Sequence, residues 1–221
     1  MAFALFITWP SDSAPAAPCS ASLDGVSGLR RVVVLRSAEV IQGVPQDTGE
    51  PAQCLQLEFD DIAALEEAAK ADHPLCHLTK GAADQQAFLL RRYKDDTPPG
   101  SHCSYMVHYP GPAENTEEWL RHYRSQHIPL MCRLPRIRGV EMLTRIDWIS
   151  SLPLAHAKHM QRNRVVFDSS QELRAALQSS VRDEMRADVA QYPRFEGGVF
   201  HHVMTTEVIY PAHSPDRRAI S

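Results

Sequence analysis

"LEFDDIAALEEAA" (residues 57–69) and "VVFDSSQELRAAL" (residues 165–177) overlay without a gap. Phe59-Asp60 then falls on Phe167-Asp168 and Leu65 on Leu173, so in each copy a strand ends in Phe-Asp and a helix begins two or three residues later. Ser169 and Glu172 add capping-box spacing in the second copy. Such self-similarity marks a repeat of one supersecondary unit.

Working outward, the other segments pair in the same order. "MAFALFITWP" (1–10) answers "HCSYMVHYPG" (102–111), each an apolar and aromatic run that stops at proline, as a first strand entering a turn would. "GLRRVVVLRSAEV" (28–40) answers "IRGVEMLTRIDW" (137–148), and "QQAFLLRRY" (85–93) answers "FHHVMTTEVI" (200–209) as a closing strand. Each half reads strand, (helix), strand, strand, helix, strand, the ferredoxin-like order. The fold class is therefore α+β, with two ferredoxin-like repeats whose antiparallel sheets pair into a barrel within one chain. The boundary is expected in "KDDTPPGS" (94–101), giving a degenerate repeat at 1–95, a second repeat at 101–212 and a tail at 213–221. The repeats differ at the first crossover. "AENTEEWLRHYRSQHIPLMCRLP" (113–135) is helical in pattern, whereas "SDSAPAAPCSASLDGVSG" (11–28) is rich in Pro, Ser and Ala and has no periodic apolar face.

Composition narrows the partners. The chain has 221 residues, 43% of them hydrophobic, enough for a sizeable core, and a formal net charge of -4 that offers no basic field for nucleic acid or anionic membrane. The apolar opening lacks a basic n-region and is too short to span a bilayer, so it reads as a buried strand. Cys19, Cys54, Cys76, Cys103 and Cys132 are odd in number and scattered, which argues against a disulfide framework and for a reducing cytoplasm. The expected partner is a small molecule, with the chain a monomer carrying a pseudo-dimeric barrel or a homodimer.

The second repeat's helix carries the candidate site. Asn115 is a good N-cap, with Glu118 three residues on, so the helix starts near Thr116. Pro129 biases Ile128 away from helical dihedrals and predicts an end at about His127. Trp119, Tyr123 and His127 fall at i, i+4 and i+8, hence on one inward face, with Leu120 beside them. A histidine there is pulled toward the protonated form by the helix C-terminus and toward the neutral form by burial. It then serves either as a proton-transfer group or as a core residue satisfied by a backbone carbonyl.

Residues 105–147, from "YMVHYPGPAENTEEWLRHYRSQHIPLMC" through "RLPRIRGVEMLTRID", resemble the EthD-like branch of the dimeric α+β barrel superfamily. A first strand ends in a Pro-containing turn, a helix has aromatic–aromatic spacing, and His-x-Pro-Leu and a later Leu-Pro follow. The resemblance implies a pocket between helices and sheet, often used without metal or organic cofactor, with the family's histidine at His127. Related barrels include isomerases, polyketide cyclases, decarboxylases, cofactor-independent monooxygenases and haem-binding enzymes. Because the first repeat lacks the histidine-bearing helix, one pocket per chain is expected, in the second half.

Other candidates surround this helix. Tyr105 and Tyr123 are expected to hold a substrate oxygen, with Trp119, His108 and Leu130 at the pocket wall and Arg133 as a carboxylate clamp. Alternation puts His201 and His202 on opposite sheet faces, and His202 is preferred for the pocket, completing a catalytic set of His127, Tyr123 and His202. His73, Cys76 and His77 have metal-like spacing without a convincing fourth ligand, and His156 with His159 is weaker, so no metal is expected. The leading expectation is a cofactor-independent lyase, isomerase or cyclase acting on a small aromatic or unsaturated carbonyl or lactone catabolite. The alternatives are a haem-binding dehydratase or monooxygenase and a non-catalytic metabolite-binding protein.

Overall fold

The computed structural model describes residues 2–10, 16, 18, 22–47, 49, 51–79, 81 and 83–211. Most of the first crossover, including Cys19, and the 213–221 tail lie outside the described residues. The elements run β1 (Ala2–Trp9), β2 (Leu29–Ser37), β3 (Gln53–Phe59), α1 (Ile62–Ala68), β4 (Asp84–Asp95), β5 (Ser101–Tyr109), α2 (Thr116–His122), α3 (Ile128–Cys132), β6 (Gly139–Arg145), β7 (Ala155–His156), β8 (Gln161–Phe167), α4 (Ser170–Leu177), α5 (Ser180–Val189) and β9 (Phe200–Tyr210).

Eight antiparallel strands close into a barrel in the order β1-β3-β2-β9-β5-β8-β6-β4, with β4 returning to β1. Each half contributes its strands in one order, β4-β1-β3-β2 and β9-β5-β8-β6. Two long strands make the closure. β4 pairs β1 and β6 on its two edges, and β9 pairs β5 and β2, which leaves no edge of the eight open to another chain. β7 adds two residues in parallel to the rim of β4. β3 and β8 are buried at every position because one face meets helices and the other the barrel interior.

The Phe-Asp junctions serve the same purpose twice. Asp60 bonds Arg30, and Asp168 takes two nitrogens of Arg138 at 2.5–3.0 Å, each pair tying the end of one strand to the start of its neighbour. The helix after each junction is capped by its own side chain: Asp61 accepts from the Ala64 N–H at 2.8 Å and Ser169 from the Glu172 N–H at 3.3 Å.

Three apolar layers result. Tyr105, Tyr109, Trp119, Tyr123, Val140 and Phe167 pack under the second half's helices, and Leu5, Val34, Leu57 and Leu65 under the first half's. Phe6, Val33, Leu35, Phe88, Met106 and Met204 fill the barrel. The interior also holds charge: Glu141 accepts from Arg164 Nε at 2.9 Å and from Arg92 Nε at 3.1 Å, Glu58 pairs with Arg92, and Gln56 bridges both carboxylates.

One expectation about the site helix is corrected. Its start agrees, with Asn115 accepting from the Glu118 N–H at 3.0 Å, but the helix does not stop at His127. A π-helical turn spans Tyr123–His127, the Ile128 N–H reaches the Tyr123 carbonyl, and α3 continues to Cys132 with Pro129 in its first turn. The wider turn absorbs proline, whose missing N–H and ring clash would otherwise break the ladder. His127 therefore sits inside a continuous helical segment rather than at a C-terminus, and the dipole argument for its protonation falls away.

Candidate functional site

A cavity of about 200 Å³ opens between the helices and the sheet of the second half. The strands supply Tyr105, Val107, Tyr109 and Val165, and α3 and the residues after it supply Met131 and Leu134. α5 adds Arg182, Met185 and Val189. Polar groups reach this mainly apolar wall at few places: His127, Asn163, His201 and the arginines of α5.

His127 is held by a carboxylate. Its Nδ1 lies 2.8 Å from Asp188 Oδ2, while the other oxygen of Asp188 lies 2.8 Å from His122 Nε2. An acidic acceptor at Nδ1 fixes the neutral ring as the Nδ1–H tautomer and leaves Nε2 as the basic nitrogen. Burial pushes the His127 pKa below its ordinary value, opposed by the hydrogen bond and charge of Asp188 and assisted by Arg182 and His122. At neutral pH the ring is therefore an uncharged base, with an anion placed to stabilise the cation that forms when it accepts a proton.

Behind His127 lies a row of rings. Tyr123 stands 5.0 Å from His127 and 5.0 Å from Trp119, ring centre to ring centre, as their shared helical face requires. The Tyr123 hydroxyl donates to Asn163 Oδ1 at 2.7 Å, so it acts on the cavity through Asn163. Burial first, then Tyr109 and Tyr192, hold its pKa well above the ordinary tyrosine value, which keeps it a donor. The Tyr105 hydroxyl is committed to the Pro45 carbonyl at 2.9 Å, and its ring stacks on His201 at 5.5 Å. His201 in turn is fixed by Asp47, whose Oδ2 accepts its backbone N–H at 2.7 Å.

The structure brings His127 and Tyr105 to the cavity and sets Tyr123 and Trp119 behind it. It moves several candidates elsewhere. His201, not His202, faces the cavity: Val203 lies under the helices and Met204 inside the barrel, so alternation sends His202 inward with Met204. There it meets His108, 4.6 Å away, which is likewise interior. Arg133 is an exposed partner of Glu184 at 2.7 and 2.9 Å rather than a clamp. Leu130 packs against the core, and its neighbour Met131 lines the cavity. His73 and His77 spend a ring nitrogen on the backbone at Leu75 and Pro74, and among the described residues no His, Cys, Asp or Glu cluster can hold a metal.

Asp188 was missed because α5 was not anticipated. A signal was present: Val181, Met185, Asp188, Val189 and Tyr192 recur at helical spacing, so the carboxylate sits on an otherwise apolar stripe. Arg182, half-buried on the same helix, lines the cavity and has no ion-pair partner among the described residues. Arg186 beside it pairs with Asp183 at 3.1 Å.

No protein-family model matches the chain, and no curated protein matches it. Solved structures do. An anthrone oxidase-like protein aligns over 97% of this chain and 95% of its own, with TM-score 0.58 and 10% identity. A protein from Fusobacterium nucleatum, provisionally titled a monooxygenase, aligns over 94% of this chain and 92% of its own, with TM-score 0.58 and 7% identity. A protein titled a major regulator of staphylococcal pathogenesis aligns over 91% of this chain and 97% of its own, with TM-score 0.53 and 6% identity. These likenesses establish the α+β barrel fold, which is shared by proteins of different functions. No helix among the described residues is long and apolar enough to cross a membrane.

Proposed function

We propose that this chain is a cofactor-free lyase, isomerase or cyclase, with His127 as the base that removes a proton next to a carbonyl group. The observation that carries the reading is the His127–Asp188 pair at the wall of an apolar cavity. The proton leaves the substrate carbon for Nε2, and the resulting enolate is held in a water-poor space beside Arg182. Returning the proton to another carbon gives isomerisation, and expelling a leaving group from the neighbouring carbon gives a lyase; a β-keto acid that loses CO2 reaches the same enolate, which then takes up a proton. Asn163, held by Tyr123, is the neutral hydrogen-bonding group on the same wall.

The cavity wall supports a substrate class. About 200 Å³ accommodates one ring or a short unsaturated chain rather than a fused tricycle. Arg182, with no ion-pair partner among the described residues, favours a carboxylate or phenolate on that compound. Small aromatic or lactone catabolites meet both conditions. A porphyrin is larger than this space, so His127 as found does not fit an axial haem ligand, and no step is drawn through haem.

The names of two fold neighbours favour a second reading, in which the enolate meets dioxygen: a CH2 group and O2 give C=O and water. Both readings share the first proton transfer, so the test addresses that step. A panel of single-ring keto acids, phenols and lactones in D2O should show enzyme-dependent exchange of the carbon-bound proton by NMR, lost in His127→Gln. Oxygen uptake separates the second reading from the first. Ligand binding without exchange across the panel would mean a binding protein, and exchange that persists in His127→Gln would remove His127 from the chemistry.

A further inference from the structure

On the opposite face of the same sheet, inside the barrel, lies a second polar cluster that the His127 chemistry does not use. Arg162 on β8 stands directly across from His108 on β5 in the strand register, and His202 on β9 adjoins them. The His108 ring centre is 4.6 Å from that of His202 and 5.0 Å from that of His159. Phe6 and Phe88 cover the Arg162 guanidinium, with ring centres 5.3 and 5.4 Å from Cζ.

The cluster has buried polar atoms without partners among the described residues. Arg162 is 3% exposed, and its Nε and one terminal nitrogen, together with Nδ1 of His108 and of His202, have no hydrogen-bond partner among the described residues. Two residues along the same strand and on the same face, Arg164 shows the usual solution, with Glu141 at 2.8 and 2.9 Å. Among the described residues no carboxylate pairs with Arg162. Asp84 and the Cys54 thiol reach it only through space, as Asp47 does His202. A buried cation left this way is strongly unfavourable, and π faces offset only part of that penalty.

We propose that the barrel interior holds one halide-sized inorganic anion between Arg162 and the Nδ1–H groups of His108 and His202. The charge count fits a monovalent ion. Burial lowers Arg162 only to about 10, so it remains a cation at neutral pH, while His202, lowered to about 4, and His159, lowered to about 3, are neutral donors or acceptors. His108 is likewise held well below its ordinary value, by burial first and then by Arg162. Water would supply acceptors but would not neutralise the guanidinium. Rings packed with centres 4.6 and 5.0 Å apart suit a single-atom ion better than an organic acid.

Two measurements on the unaltered protein test this. The melting temperature should rise with the logarithm of chloride concentration as chloride replaces gluconate at constant ionic strength, by about 5–10 °C at a hundredfold excess over Kd. Crystals grown in bromide should show an anomalous peak within hydrogen-bonding distance of Arg162, His108 and His202. Arg162→Met, which keeps an apolar chain at the position and removes the guanidinium, should remove the chloride response, and His108→Leu should weaken it at least tenfold in Kd. A melting temperature indifferent to chloride, or ordered water with no anomalous peak at that position, would overturn the proposal even if neither variant folds.

Discussion

Replacing Asp188 with asparagine keeps the size of the side chain and removes its charge, which isolates what the carboxylate does for His127. In the native site each oxygen serves one histidine at 2.8 Å, and the bond to His127 Nδ1 strengthens as that ring accepts a proton. A hydrogen bond to an ionised group contributes about 1.5–3 kcal/mol, and at about 1.4 kcal/mol per factor of ten its loss in the transition state lowers kcat/KM by about 10- to 150-fold. The pH profile should move as well. Burial holds the His127 pKa down and Asp188 opposes it, so without Asp188 only lowering influences remain. A base acts unprotonated, so the acid limb shifts to lower pH while the plateau drops. The assay is carbon-proton exchange per folded protein between pH 4 and 8, with melting temperature recorded in parallel. A plateau within twofold of the parent, with the limb unmoved or moved upward, would refute the view that Asp188 orients and charges the base.

His127→Gln should cut exchange by about 10²–10⁴-fold with little change in ligand affinity, whereas a loss of about 1–3 kcal/mol in stability with turnover intact would mean a structural histidine. Arg182→Met should raise KM for carboxylate-bearing substrates at least tenfold. Arg133→Ala should leave KM and melting temperature almost unchanged, because its pair with Glu184 is exposed; a matching KM rise in Arg133→Ala would reverse the assignment. Acid should destabilise the fold early. His108, His127, His159, His201 and His202 all have pKa values below their ordinary one in the folded chain, so the unfolded chain binds more protons below pH 6.5. Stability should then fall with pH from about 6.5 toward 4, by up to about 1.4 kcal/mol per pH unit for each such group, as denaturant titrations would show. A flat stability curve over that range would contradict their burial as neutral rings.

What the sequence determined by itself was local and periodic. The Phe-Asp junctions place the ends of β3 and β8, Asn115 and Ser169 place two helix starts, and alternating apolar runs place the strands, because each signal acts within a few residues of backbone. The order of those elements was enough for an α+β barrel with few competing topologies. Spacing also put Trp119, Tyr123 and His127 on one face, although the local rule for Pro129 misplaced the helix end that a π turn carried past it. Tertiary structure decided the rest. Alternation separates His201 from His202 but does not say which face turns inward; barrel closure does, and it sends His202 and His108, both expected at the helix-side pocket, into the barrel interior with Arg162. Asp188 meets His127 across 61 residues of chain, and a carboxylate's partner at that range is set by how α5 docks on the helical segment, not by anything near either residue. Periodicity reports which side of an element is buried. Only the packed chain reports what each buried polar atom finds there, and that partner sets its charge and its chemistry.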